Sequence, residues 1–129
     1  MKIGVVNIKV PVMNAACSIA KTWEDVRAMC STSAGLVLIG SITTEPREGN
    51  QEPRWFVGDD YALNSFGMPN GGIKFYGKEL PGMMEYIHSS DKVGVLSIAG
   101  FSTNEYVQLA QLADRSNVDI LELNLGCPN

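Results

Sequence analysis

Three thiols, one imidazole and a set of asparagines are the side chains of this sequence with the means to do site chemistry. Cys17, Cys30 and Cys127 are odd in number and far apart, no Cys-x-x-Cys pair occurs, and His88 is the single histidine. A disulfide framework or a structural zinc site needs more ligands at closer spacing, so no metal is expected. Each cysteine is either packing or a group that reacts as its thiolate. Cys127 sits in Leu123-Asn124-Leu125-Gly126-Cys127-Pro128-Asn129, and a second stretch reads Asn64-Ser65-Phe66-Gly67-Met68-Pro69-Asn70. A third, Pro46-Arg47-Glu48-Gly49-Asn50, is followed by Glu52-Pro53-Arg54. Asn, Gly and Pro also favour turns, so any one of these alone could be plain loop.

The elements that must position these residues alternate between extended and helical. Val5 to Val10 and Pro11 to Ala15 read as extended pieces parted by the Val10-Pro11 dipeptide. Thr22-Trp23-Glu24-Asp25 opens a helix with a capping-box-like start; Val26, Met29 and Cys30 follow at helical spacing and Gly35 is its stop. That places Cys30 in packing. Leu36 to Ile39 suits a parallel strand covered on both faces. From Gly40 to about Lys78 neither period persists, and the aromatic content of that long connection predicts an ordered, packed loop. Leu80, Met83, Met84 and Ile87 give a short helix, with His88 solvated in its last turn. Val93 to Ala99 is a strand. Ser102 and Glu105 cap a further helix with Tyr106, Leu109, Ala110 and Ala113 on its apolar face. Ile120 to Leu125 closes the series, its leucines on one face and Glu122 and Asn124 on the other. Glu122 reads as a structural carboxylate in need of a partner.

Such alternation predicts a parallel sheet with crossover helices. No Gly-x-Gly-x-x-Gly follows the first strand, which favours a barrel over an open dinucleotide-binding sheet. In barrels chemistry gathers at the C-terminal ends of strands, where Asn14-Ala15-Ala16, Gly40-Ser41, Ala99-Gly100 and residues 124–129 fall. The expected fold class is α/β, the N-terminal half of a (β/α)8 TIM barrel forming one partial domain over 1–129, since a whole barrel takes about 250 residues. With 45% hydrophobic and 19% charged residues and a net charge of −4, the chain is globular rather than disordered. No apolar run approaches the roughly 18 residues of a membrane span, no signal peptide is readable, and the acidic balance disfavours nucleic acid. The cysteine usage predicts a reducing, cytoplasmic setting.

Taken together and in this order, the three motifs, with Met13-Asn14-Ala15-Ala16 and Ser97-Ile98-Ala99-Gly100, resemble the class 1 dihydroorotate dehydrogenases, especially the cytosolic fumarate-linked type. The resemblance implies an FMN enzyme oxidising dihydroorotate to orotate in pyrimidine biosynthesis, a homodimer when full length, with fumarate as electron acceptor. It implies that Cys127 is the catalytic base, a role a thiol of free pKa about 8.5 fills with modest help. Asn64, Asn124 and Asn129 match substrate contacts, their carboxamides donating and accepting along an amide-rich ring. Phe66, Gly67 and Met68 match the substrate loop, and Ala15, Ala16, Gly40, Ser41 and Asn124 match cofactor positions.

Two departures stand out. Gly40 replaces a lysine that in the family contacts flavin and substrate, with no nearby lysine as an obvious substitute, so Gly40→Lys is expected to raise turnover. Gly126 replaces a serine beside the base. A second resemblance is to tRNA-dihydrouridine synthase, another FMN barrel with Asn-x-Gly-Cys-Pro after its fourth strand, against which stand residues 46–54 and 64–70. The third alternative is a non-catalytic remnant. Without the phosphate loops of later strands, the isolated chain is expected to hold FMN weakly.

Overall fold

A three-stranded parallel sheet forms the centre of the computed structural model, which describes residues 1–18 and 20–127. Its strands are β3 (Leu36–Ile42), β6 (Val93–Ile98) and β7 (Ile120–Leu123), in the order β3-β6-β7. Leu36 to Ile39 lie opposite Val93 to Leu96, and Val95 to Ile98 lie opposite Ile120 to Leu123. Every residue of β3 is buried, as a parallel strand covered on both faces requires. Ahead of it come an antiparallel hairpin of β1 (Lys2–Ile3) and β2 (Val6–Asn7) and the helix α1 (Trp23–Cys30). A second hairpin, β4 (Trp55–Val57) with β5 (Ala62–Asn64), and helix α2 (Gly72–Ser89) lie between β3 and β6, and α3 (Thr103–Arg115) joins β6 to β7.

The helices cover one face of the sheet. Val37, Ile39, Leu96 and Ile98 pack there with Val26 of α1, Tyr76, Leu80, Met83, Met84 and Ile87 of α2, and Leu109, Leu112 and Ala113 of α3. Cys30 packs against this core, in keeping with its predicted role, and burial pushes its thiol pKa up. Leu36, Leu38 and Val95 point to the other face, where Ile8 and Val6 cover them. Both predicted helix starts are present. Thr22 and Asp25 form a reciprocal capping box, while Ser102 accepts from the Glu105 amide and Glu105 reaches the amide of Phe101.

Several expectations are corrected. Val5 to Val10 is no strand of the parallel sheet: Val6 lies in a hairpin, and with Ile8 it caps the sheet's second face. Local periodicity cannot separate an apolar cap from a ladder strand. Beside β3 the chain is instead held at single points, with Val12 O accepting from the Gly35 and Leu36 amides and the Asn14 carboxamide bonding both N and O of Leu38. α1 ends at Ser31, before Gly35. α2 begins at Gly72 and carries Phe75, Tyr76 and an interior Pro81; burial of five large side chains outweighs the poor helix propensity of Gly and Pro. The long connection is shorter than expected and contains the β4–β5 hairpin. β7 ends at Leu123, leaving Leu121 and Leu123 exposed and Glu122 half-buried, with no ion pair to Glu122 among the described residues. His88 does close α2, but it is paired with Asp119 at 2.8 Å, whose carboxylate also takes the Gly94 amide.

Candidate active site at the strand ends

The C-terminal ends of the three strands are tied together by short polar side chains. Ser41 of β3 shares a 2.8 Å hydrogen bond with Ser97 of β6 and accepts another, also 2.8 Å, from the carboxamide of Asn124 beyond β7. The Asn124 carbonyl oxygen in turn accepts from the backbone N–H of Cys127 at 3.1 Å, and its main-chain oxygen takes the Tyr106 hydroxyl. Small hydroxyls at buried strand ends cross-link neighbours without opening the core, and a buried network of this kind fixes one geometry when its members are satisfied. The effect is to tie the exposed Cys127 loop to the buried Ser41 and Ser97 of the sheet.

Above these ends lies an open cavity of about 990 Å³. Cys127, Asn124 and Ser41 line one side, and Asn64, Phe66, Gly67 and Met68 line another. The second wall takes its shape from backbone that only particular residues tolerate. Gly67 (φ +74°) and Met68 (φ +54°) are both left-handed, and a Cβ on Gly67 would lie 2.7 Å from the Asn50 amide nitrogen, so glycine is required there. Trp55 stacks on Phe66 with centroids 5.6 Å apart, presenting aromatic surface to the cavity.

The third sequence motif clamps this wall. Arg47 Nε donates to Gly67 O, the Asn50 carboxamide donates to Ser65, and Arg54 Nη1 donates to Glu48 O. Asn70, the last residue of the second motif, is also structural: its carboxamide oxygen accepts from the Thr43 and Gly72 amides and its nitrogen donates to Met68 O.

The residue that sequence reasoning missed is Lys21. It is 7% exposed and lines the cavity, with Nζ donating to Pro69 O at 2.7 Å. Its backbone is fastened on both sides, the N–H to Asp25 Oδ2 at 3.0 Å and the carbonyl to the buried Tyr76 hydroxyl at 3.2 Å. Burial lowers the Lys21 pKa, while the nearby Cys17 and Cys127 pull it back up. Tyr76 is pushed well above the usual phenol range, by burial first and then by the Asp25 charge. For Asp25 burial works against ionisation, but hydrogen bonds from Lys21 and Thr22 outweigh it and hold the carboxyl below its usual range. The available signal was position: Lys21 directly precedes the capping Thr22 and follows the strand-end segment that already held Ala15 and Ala16.

The predicted site residues therefore converge in the main. Ala16 lines the cavity and Cys17 and Ser18 join it, whereas Ala15 does not. Gly40 lies outside the lining, and it has no room for a side chain: at φ +117° its Cβ would meet Ser97 O at 2.5 Å and Ile42 N at 3.0 Å. Gly40→Lys thus cannot be the simple restoration expected from sequence. A Cβ on Gly126 would meet nothing within 4 Å, so sterics do not explain that departure. Asn129 lies outside the described residues.

The family model described as "Dihydroorotate dehydrogenase" matches residues 1–129. A protein of Trypanosoma cruzi (strain CL Brener) named dihydroorotate dehydrogenase (fumarate) is 42% identical over 123 residues, 92% of this chain and 38% of that protein. The protein of the same name from Trypanosoma brucei brucei is 40% identical, with the same shares covered. The catalytic subunit of dihydroorotate dehydrogenase B (NAD(+)) from Thermoanaerobacter sp. (strain X514) is 32% identical over 100% of this chain and 42% of its own. The chain thus spans about two fifths of the length of the curated relatives it matches.

Proposed function

The chain belongs to the dihydroorotate dehydrogenase family, and from that premise we propose that it contributes the base and much of the pyrimidine site of an FMN-dependent enzyme oxidising dihydroorotate to orotate in pyrimidine biosynthesis. One observation carries the reading. Asn64, Phe66, Gly67, Met68, Asn124 and Cys127 are up to 63 positions apart in the chain, yet all line one cavity. The proposal continues the three parallel strands as the start of a (β/α)8 barrel, the architecture in which strand-end sites of this kind are built.

The cavity fits a planar cofactor with a small ring beside it. About 990 Å³ is at the upper end of the roughly 300–1,000 Å³ that small-molecule and cofactor sites occupy. Ala16, Ser41 and Asn124 offer small or amide surfaces on the sheet side, and Trp55 and Phe66 close the loop side. FMN, when bound, supplies the acceptor for the hydride leaving substrate C6. Cys127 Sγ takes the proton from C5, whose freed electron pair completes the C5–C6 double bond. Asn124 orients this thiol through the Cys127 amide. The carboxamide of Asn64 makes no hydrogen bond among the described residues, which leaves it available to the ring's amide edges.

Fumarate is the electron acceptor we assign, supported by the two trypanosomal relatives so named. We extend the reading to a cytoplasmic homodimer for the full-length enzyme. A base of this type contributes about 10²–10⁴ in rate, so Cys127→Ser in the full-length enzyme should lose activity on that scale at neutral pH while Cys17→Ser keeps it. Steady-state orotate formation checks this; substantial turnover by Cys127→Ser, with Cys17→Ser inactive, reverses the assignment.

A further inference from the structure

Lys21 poses a physical problem that the proposed chemistry leaves open. An ammonium is costly to bury unless an opposite charge meets it. Yet the cavity lining contains no aspartate or glutamate, its only groups able to turn anionic beside Lys21 are the thiols of Cys17 and Cys127, and among the described residues the only hydrogen-bond acceptor of Nζ is the neutral Pro69 carbonyl. An ammonium has three donors, so this bond uses one. The backbone that carries this side chain is nevertheless fastened on both sides. The Asp25 carboxylate takes its backbone N–H, the Tyr76 hydroxyl reaches its carbonyl, and the capping box anchors the next residue. A cation mounted this firmly, facing a space without carboxylates, is complementary to a negative charge that arrives with the ligand.

We propose that Lys21, entering from the cap of α1, is the cation with which this pocket reads the negative charge of its pyrimidine ligand. Position 40 cannot do so, because its backbone conformation and the nearby Ser97 carbonyl leave no space for any side chain. Asp25 and Tyr76 are positioning residues that act through the Lys21 backbone. The carboxylate-bearing pyrimidine follows from the proposed function; the anion preference does not depend on it.

Two probes differ in the relevant charge: orotate carries a ring carboxylate and uracil lacks it. Their affinities are to be measured by thermal shift on the flavin-free protein and by flavin absorbance change on the FMN-loaded protein, for the wild type, Lys21→Met and Lys21→Arg. Hydrogen bonds to charged groups contribute enough that the wild type should prefer orotate by at least about tenfold. Lys21→Met should bring that preference to within about twofold without weakening uracil, and Lys21→Arg should retain part of it. If Lys21→Met fails to fold, Lys21→Gln, which keeps a donor without the charge, serves in its place. A wild type with no preference in either form overturns the inference, as does a neutral variant that keeps the full preference. Failure to bind FMN or to turn over dihydroorotate sinks the proposed function alone, because the flavin-free comparison still decides the role of Lys21.

Discussion

At position 40 the missing side chain and the missing space are one fact. Gly40 sits at φ +117°, a conformation costly for any residue with a Cβ, and the nearest obstacle is the backbone oxygen of Ser97, which cannot swing aside. Lys21 brings a cation to the strand-end cavity from a different element, so the glycine at 40 does not leave that cavity without a positive side chain. Gly40→Lys is therefore expected to destabilise by about 3 kcal/mol or more, combining backbone strain with overpacking. Urea denaturation should show a lowered midpoint, and turnover of dihydroorotate should not rise. A variant as stable as the wild type and faster would show that β3 relaxes to admit the lysine.

Among the elements, α1 does more than cover the sheet, since its N-terminal cap is also the mount for Lys21. Asp25 accepts from the Lys21 and Thr22 amides and the Thr22 hydroxyl. Its carboxyl is held below the ordinary 3.8. A carboxylate with a depressed folded-state pKa adds stability that is complete above the unfolded pKa and is lost as pH falls through the folded value. Losing a cap of this kind costs about 1 kcal/mol, roughly 4 °C in Tm for a chain of this size. Asp25→Asn should show that deficit at pH 7, and the gap from wild type should close as pH falls below about 3.8. Thermal melts followed by circular dichroism across that range check it; a gap that persists undiminished in acid would mean the carboxylate charge is not what the cap uses.

On the scale of the whole molecule the two edges of the sheet differ. β3 is flanked by the 12–14 segment through Val12 and Asn14. β7 has no strand on its far side among the described residues, and Leu121, Leu123 and Leu125 are 36%, 53% and 78% exposed. An edge strand with apolar side chains is a template for further pairing. The 129-residue chain by itself is thus expected to self-associate with rising concentration, and Leu121→Lys with Leu123→Lys to suppress this, since charged residues blunt such edges. Light scattering or sedimentation at a series of concentrations measures it, and equal association by both proteins would place the sticky surface elsewhere.

Features that rest on local chemistry or strong patterning are readable from the order of the residues. The capping box at Thr22, the N-cap at Ser102, the buried run of β3 and the packed Cys30 were legible in the residues, while the meeting of Asn64 to Met68 with Asn124 and Cys127 was implied only by the family resemblance. The caps, the strand and the packed cysteine were legible because caps, uninterrupted apolar strands and helical spacing carry their physics in a few adjacent residues. The remaining features depend on partners remote in the chain. Helix α2 runs through Gly77 and Pro81 because Tyr76 and Met83 find a core on α1 and the sheet. His88 is paired because Asp119 comes beside it. Lys21 became a site residue only when Pro69, 48 positions away, and Tyr76, 55 positions away, closed around it. A buried charge is identified by what surrounds it in space, and that surrounding is a property of the packed fold rather than of any stretch of sequence.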